Sequence, residues 1–391
     1  MKTGKILAFT IYLAINGLFI LKYAERTPFN PFLCLFAYIV IVTALFKFPT
    51  LWKKVKVGLS FIPHPSSLLI IITTLAIAAL LIIIDPMSVR VDRWSATTYF
   101  LDALFSGQYP YGVHTHVSTT NFPSPFPLWH YLNIPFWLIG DVGIGLIAVL
   151  WLTLFSIKYF SPLPSGEGQG VGQFLLFLVL SPAYWWEVAV RSDGLSNALL
   201  VFCVILWLEH KRYSFTNRWI LTAILCGLIA STRLSAVIPI GLYLMASYFK
   251  SDLRTKILTP LIVFGIVFLM FLPYIFWDTE TWLFFSRNPF MSQTSTGNIY
   301  TLLLMAVIAV VGVFYVVERK KERENRFWLF NIFTAVYLFA FFLLALCYNH
   351  FTFNVSTPIW SDADFDISYL TLALPYCIYS MCRFGVKNEE N

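Results

Sequence analysis

Apolar residues fill this chain in runs long enough to cross a bilayer, and few folds remain open to such a sequence. Hydrophobic residues make up 58% of the 391 residues and charged residues only 12%. Soluble domains usually carry about 25% charged residues. A mean hydropathy of +0.73, with 38 Phe, 20 Tyr and 13 Trp, points to lipid as the solvent. No stretch is polar enough to form a soluble domain, so the chain reads as one integral membrane unit.

A helix needs about 20 apolar residues to cross the hydrocarbon core. Candidate spans are 6–23, 31–48, 68–84, 127–157, 173–190, 195–209, 219–232, 234–249, 257–277, 298–317, 327–347 and 367–384. The first follows Lys2 and Lys5 but lacks a small-x-small cleavage site, so it reads as a retained anchor. The run 127–157 is long for one span, and Pro135 with Gly140-Asp141 is expected to split it into an interfacial helix and a crossing. The pieces 195–209, 219–232 and 234–249 are short enough to be tilted, broken or re-entrant, which is tolerable where protein or water covers the backbone. The expected fold is an all-α polytopic membrane protein with about 11–13 transmembrane helices.

Basic residues give the sidedness. Lys47, Lys53, Lys54 and Lys56, then Lys211, Arg212 and Arg218, then Lys250, Arg254 and Lys256, then the run Glu318 to Arg326 fall on one side of a twelve-span count, together with both termini. The positive-inside rule makes that side the cytoplasm. The net charge of +7 therefore reflects orientation and anionic lipid headgroups, and no nucleic-acid partner is expected. The opposite face collects the stretch 85–126, Arg191-Ser192-Asp193, Arg233, 278–298 and 348–366.

The six cysteines, Cys34, Cys203, Cys226, Cys347, Cys377 and Cys382, lie in or beside apolar runs and form no metal-type pair, so they read as packing residues. The loop Ser161 to Gly172 alternates glycines without matching a dinucleotide or Walker pattern, and it reads as a flexible insert.

Chemistry is sought in the first long outer loop, which starts Asp85-Pro86-Met87-Ser88-Val89-Arg90-Val91-Asp92-Arg93-Trp94. Asp92 sits between Arg90 and Arg93 at headgroup depth, where an ionised carboxylate can accept a proton from a hydroxyl, or can simply anchor a helix end. Arg191 and Arg233 stand at outer helix ends, where the positive-inside rule disfavours arginine. They suit a phosphate, or Arg191 could pair with Asp193 to hold helix ends together. His114 and His116 would share one face of a strand and could bind a metal, although hydrogen-bonding histidines are the simpler reading. His350 could serve in acid–base work or cap a helix. Asp362, Asp364 and Asp366 have a spacing that could chelate a divalent cation, and equally suit a solvated loop at a helix N-terminus. Trp94, Tyr109 and Tyr111 offer faces on which a sugar stacks, against the default of an interfacial aromatic belt.

The order of these motifs resembles the GT-C fold glycosyltransferases, multi-span enzymes that use polyprenyl-phosphate sugars. Asp92 follows a span, an aromatic stretch runs from Tyr99 to Phe105, and a Gly-x-Tyr-Pro-Tyr turn spans Gly107 to Tyr111. Ser124-Pro125-Phe126-Pro127 then leads into the next span, and Arg191 with Asp193 marks the next outer helix end. The resemblance covers roughly 68–250. It implies a core over 68–391 with a long outer loop, 85–126, carrying short helices, and an N-terminal two-span addition over 1–67. It implies Asp92 as the base that deprotonates an acceptor hydroxyl on a glycan or lipid, with inversion at the anomeric carbon. Arg93, Arg191 or Arg233 would stabilise the departing lipid phosphate, and Arg90, Trp94, Tyr109, Tyr111, His114, His116, Asp193 and His350 would contact substrates. No cofactor is required by this scheme; a divalent cation on the acidic loop is an option, not a requirement. The setting implied is a bacterial plasma membrane with the site on the extracytoplasmic face.

The pattern departs from the family in places. The loop follows the third span rather than the first, and Arg93 stands where protein O-mannosyltransferases have the Glu of an Asp-Glu pair. Trp185-Trp186-Glu187 is not equivalent to the Trp-Trp-Asp of oligosaccharyltransferases, and no large soluble C-terminal domain is seen. A lipid-linked sugar transporter or flippase and a polymerase of surface glycans are the competing readings.

Overall fold

The computed structural model describes residues 2–47, 65–162, 169–283, 288–294, 297–320, 322–361 and 366–382. Among the described residues there is no β-strand, only an isolated bridge between Ser214 and Asn217. Helices α1 (Lys2–Ala24) and α2 (Pro31–Lys47) form a hairpin, and α3 (Pro65–Ile83) leads to the long outer loop. That loop carries α4 (Arg93–Phe105) between two 3-10 turns, Pro86–Ser88 and Pro110–Gly112. Then follow α5 (Pro127–Ile139), α6 (Ile144–Phe160), α7 (Gln169–Val179), α8 (Pro182–Ala189), α9 (Asp193–Lys211), α10 (Trp219–Ala230), α11 (Val237–Lys250) and α12 (Leu253–Trp277). Two short helices, α13 (Thr279–Leu283) and α14 (Pro289–Thr294), precede α15 (Ile299–Val311), which runs on into a π-helical stretch, Gly312–Val317. The chain closes with α16 (Arg323–Thr352), two 3-10 turns (Ile359–Ser361 and Ile367–Ala373) and α17 (Leu374–Met381).

Among the described residues five helices are long and apolar enough to cross a membrane: Thr3–Ala24, Asp193–Lys211, Leu253–Trp277, Ile299–Val317 and Arg323–Thr352. Two bent pairs, α5 with α6 and α7 with α8, raise the number to seven when each pair is taken as one span. This is an all-α chain with multiple membrane spans. The five shorter apolar helices are Pro31–Lys47, Ser67–Ile83, Trp219–Ala230, Leu234–Lys250 and Ile367–Met381. Burial sorts the long helices. The apolar window of α9 is 72% buried and forms a central post, whereas that of α12 is 17% buried and turns Leu261, Phe264 and Phe268 outward, as a lipid-facing helix does.

The bends are where the sequence breaks the helical ladder. Between α5 and α6 the axis turns by 117°, at the break expected within 127–157. Gly140 takes φ +117°, a conformation that residues with a Cβ rarely adopt, and the Asp141 carboxylate then accepts from the Gly143 N–H at 2.8 Å. Between α7 and α8 the turn is 71°. Ser181 caps α8 by accepting from the Tyr184 N–H at 3.2 Å, and Asn16 of α1 accepts from the Ser181 hydroxyl at 2.5 Å and from the Ala183 N–H at 3.2 Å. A backbone break among apolar helices needs such partners, because no water is there to supply them. Asn16 is fully buried, as are Ala8, Tyr12 and Ile15, so α1 packs into the core against α8, α16 and α17.

The outer loop has a core of its own. Phe100, Leu101, Tyr111, Phe126, Val142, Phe271 and Tyr274 form a second buried cluster that seats α4 and the 110–127 segment on the C-terminal end of α12. The His130 ring stacks on Phe100 with centroids 3.6 Å apart. The Phe126 and Leu128 N–H groups donate to the Thr232 and Ser231 carbonyls at 3.0 and 3.1 Å, which ties the Ser-Pro-Phe-Pro segment to the chain just before Arg233. Gln293 completes the tie by donating to the Ser124 carbonyl and accepting from the Leu234 N–H.

A candidate site of paired charges at helix ends

Four charged side chains from four separate parts of the sequence meet in one row. Asp366 pairs with Arg93, Arg93 pairs with Asp193 at 3.2 Å, and Asp193 pairs through its other oxygen with Arg233. The folding reason lies in the helix ends. Asp193 occupies the first turn of α9 behind Ser192, which accepts from the Gly194 N–H at 3.1 Å, and the positive end of the helix dipole favours a carboxylate there. Asp366 caps the turn Ile367–Ala373 by accepting from the Ser368 N–H at 2.9 Å. Arg233 precedes the turn Leu234–Ala236, and Arg93 opens α4. Both guanidiniums lie near the Tyr369 ring, with Cζ atoms 5.8 and 6.0 Å from its centroid.

Burial grades the row from inside to outside. Arg233 and Asp193 are 2% and 3% exposed in their side chains, Arg93 11% and Asp366 36%. Burial works against the Asp366 carboxylate, and Arg93 with the Ser368 N–H overrides it, holding the group below the usual carboxylate range. Glu187 of α8 lies beside the row, next to Ser192 and Ser368 and within electrostatic reach of Arg93 and Asp366. It is fully buried, and neither carboxyl oxygen makes a hydrogen bond among the described residues. Two guanidiniums thus face three carboxyl groups.

Asp92 stands next to this row and outside it. It is the N-cap residue of α4, half-buried, and its side chain makes no capping bond. One oxygen accepts from the Asn121 amide at 3.3 Å. Arg93, its chain neighbour, is turned away to Asp193 and Asp366, and Arg90 is exposed without an ion pair among the described residues. The Asp92 carboxylate is therefore available to a hydroxyl.

A cavity of about 210 Å³ opens between α5, α6 and the start of α9. Its walls are largely apolar, including Leu132, Phe136, Val149 and Leu152, and its inner end is made by Arg191, Ser192 and Asp193. Leu132 and Leu152 are exposed on the surface, so the cavity opens on an apolar side of the bundle and reaches Asp193 of the charged row.

The other residues singled out from sequence are placed as follows. Arg191 does not pair with Asp193. In a left-handed backbone conformation (φ 52°), it pairs with Asp141 at 2.8 Å and donates to the Leu81 and Ile84 carbonyls at 2.7 and 3.1 Å, closing the C-terminal end of α3. Tyr111 is fully buried in the aromatic cluster, its hydroxyl donating to the Pro125 carbonyl at 3.1 Å. Tyr109 packs against the same cluster and meets the Trp277 ring edge-on. Trp94 meets Tyr99 edge-on, and its buried indole N–H has no partner among the described residues. His116 staples the loop, with Nδ1 2.6 Å from the Ser95 hydroxyl and Nε2 2.9 Å from the Val89 carbonyl. His114 is exposed and packs on Phe122. His350 lies in the last turn of α16.

Asp362 and Asp364 lie outside the described residues, as do Lys53, Lys54, Lys56 and residues 163–168 of the glycine-rich loop, whose last four residues, 169–172, instead open α7. Among the described residues no group of three His, Cys, Asp or Glu side chains is placed to hold a metal ion, and the six cysteines are free. Sequence reasoning passed over Glu187, Asn121 and Asn16. For Glu187 and Asn16 the signal was there, a lone polar side chain inside an apolar run, which in a membrane protein demands a partner. Asn121 in a polar loop carried none.

No family model, curated protein or solved structure matches this chain.

Proposed function

We propose that this protein is a membrane glycosyltransferase that moves a sugar from a polyprenyl-phosphate donor to a hydroxyl acceptor on the extracytoplasmic face, with Asp92 as general base. The observation that carries the reading is the Asp92 carboxylate, half-buried, oriented by Asn121 and left unpaired by both flanking arginines. A base must be free to take a proton and fixed in direction, and this group is both. The cavity that opens on an apolar side and reaches Asp193 supports the donor side, since it offers an apolar chain a path to the charged row.

In this scheme the acceptor hydroxyl gives its proton to Asp92 while its oxygen attacks the anomeric carbon. The bond from that carbon to the phosphate oxygen breaks, and configuration inverts. The negative charge arriving on the lipid phosphate needs a guanidinium. Arg93 suits the task, because its partner Asp366 is the most exposed member of the row and the one a phosphate displaces at least cost. Arg191 is held by Asp141 and two carbonyls, with only its Nη1 left without a partner among the described residues, and Arg233 is sealed behind Asp193. On this reading each bent pair and each of the five shorter apolar helices is also a crossing, twelve in all, and the positive-inside rule then assigns both termini and the basic loops to the cytoplasm.

The test is turnover. Purified protein in proteoliposomes, given a panel of polyprenyl-phosphate sugars with hydroxyl acceptors, should release polyprenyl phosphate and form a product of inverted configuration. A second reading, movement of a lipid-linked sugar across the bilayer, is favoured by the two bent helix pairs and by the buried Arg233–Asp193 pair. Translocation of the labelled donor with no sugar transferred would replace the first reading with the second.

A further inference from the structure

A second cavity, of about 230 Å³, lies at the opposite, basic end of the bundle. It is bordered by the loop after α9, the end of α11, the π-helical stretch and the first turns of α16. Its inner wall is apolar, with Val313, Val317, Phe327 and Phe330. Its mouth carries Lys250, Arg326 and Glu318, with the hydroxyl residues Ser214, Thr216 and Ser247 beside them.

Local backbone shapes this space. Gly312 lets α15 lie against α16, since a Cβ there would come within 2.1 Å of Phe333 Cε2. The π turn that begins at Gly312 carries Val313 and Val317 to the cavity wall, and such turns recur at functional sites.

The charges do not balance at the mouth. Lys250 pairs with one oxygen of Glu318, and Arg326 approaches the other only to 4.0 Å, so two cations share one carboxylate. Glu209, deeper in, is already taken by Arg323 and by the Tyr243 hydroxyl. Among the described lining residues, with Glu209 taken by Arg323, one positive charge is left over at a site polar outside and apolar inside. Phe249 and Tyr315, both exposed on the surface nearby, mark adjacent apolar surface.

We infer that this cavity binds the phosphate headgroup of an anionic membrane lipid, with Lys250 and Arg326 on the phosphate and the Phe327–Phe330 wall against the glycerol and upper chains. The amphipathic lining and the single unbalanced charge together fit a phosphodiester on an apolar stem. The inference is independent of the reaction proposed above, because the cavity sits at the other end of the helices.

Native mass spectrometry of the full chain in detergent, titrated with phosphatidylglycerol, phosphatidylcholine or inorganic phosphate, tests it. Phosphatidylglycerol should be retained and phosphatidylcholine not. The double variant Lys250→Gln/Arg326→Gln should weaken retention about 30-fold, the loss of two headgroup contacts. Arg254→Gln/Lys256→Gln, which removes cations of the same face that do not line the cavity, should leave it unchanged. Equal loss in both double variants, or equal retention of the two lipids by the wild type, overturns the inference. Competition by inorganic phosphate at the same concentration as lipid also overturns it, since the ligand would then be a soluble phosphate.

Discussion

Asp193 is the joint of the charged row, and replacing it gives the sharpest energetic test of the structure. Asp193→Asn keeps the size and removes the charge that both Arg93 and Arg233 use. Arg93 retains Asp366, but Arg233, 2% exposed, is left as a buried cation without a counterion. Removing one partner of a buried pair costs about 3–5 kcal/mol, because the survivor's desolvation is no longer offset. At 1.4 kcal/mol per tenfold, that is a drop of about two to four powers of ten in the folded-to-unfolded ratio. Arg233→Met should cost less, about 1–3 kcal/mol, since Asp193 keeps Arg93 and its position at the start of α9. Combined, the two substitutions should cost less than their sum by about 0.5–3 kcal/mol. Unfolding in mixed micelles at increasing denaturing-detergent fraction, followed by the fluorescence of the 13 tryptophans, measures all three. If Asp193→Asn stays within about 0.5 kcal/mol of wild type, the sealed row is not what holds these helix ends.

Further expectations follow from the neighbouring geometry. Asp366 has its carboxyl pKa depressed in the folded state, so its contribution is present at neutral pH and is lost as pH falls through and below about 4, the usual carboxylate value. Asp366→Asn should therefore flatten the acid limb of a stability-versus-pH curve, and an unchanged acid limb would contradict the pairing with Arg93. Gly143→Ala places a Cβ 2.7 Å from Leu81 Cδ2 and 2.9 Å from Arg191 Cγ, which should unseat Arg191 from the end of α3 and lower thermal stability. Arg191→Met should do the same without altering Asp92, so transfer per folded molecule should persist; its abolition would make Arg191 a phosphate ligand after all.

The membrane class and most helix positions were legible because apolar run length and helix-breaking residues act locally. Gly140-Asp141 marked a bend that the fold places there, and 219–232 and 234–249 became short helices, but the segment expected to be short at 195–209 lies in Asp193–Lys211, which is long enough to cross. The charged row was half legible. Arginines at outer helix ends pointed to that face, but sequence proximity suggested Arg191 with Asp193, whereas the left-handed turn at Arg191 sends its side chain to Asp141 and leaves Asp193 to residues 100 and 40 positions away. Such pairings depend on helix packing and leave no local trace. Tyr111 shows the converse limit: an aromatic in a loop reads as a sugar platform or a belt, and only tertiary packing makes it core.

The central claim is that Asp92 takes the acceptor's proton. Sugar transfer by Asp92→Asn, assayed beside wild type in proteoliposomes with donor binding and unfolding measured on the same preparations, addresses it most directly. The account predicts that transfer is lost while folding and donor binding stay at wild-type levels. Transfer at the wild-type rate would contradict it.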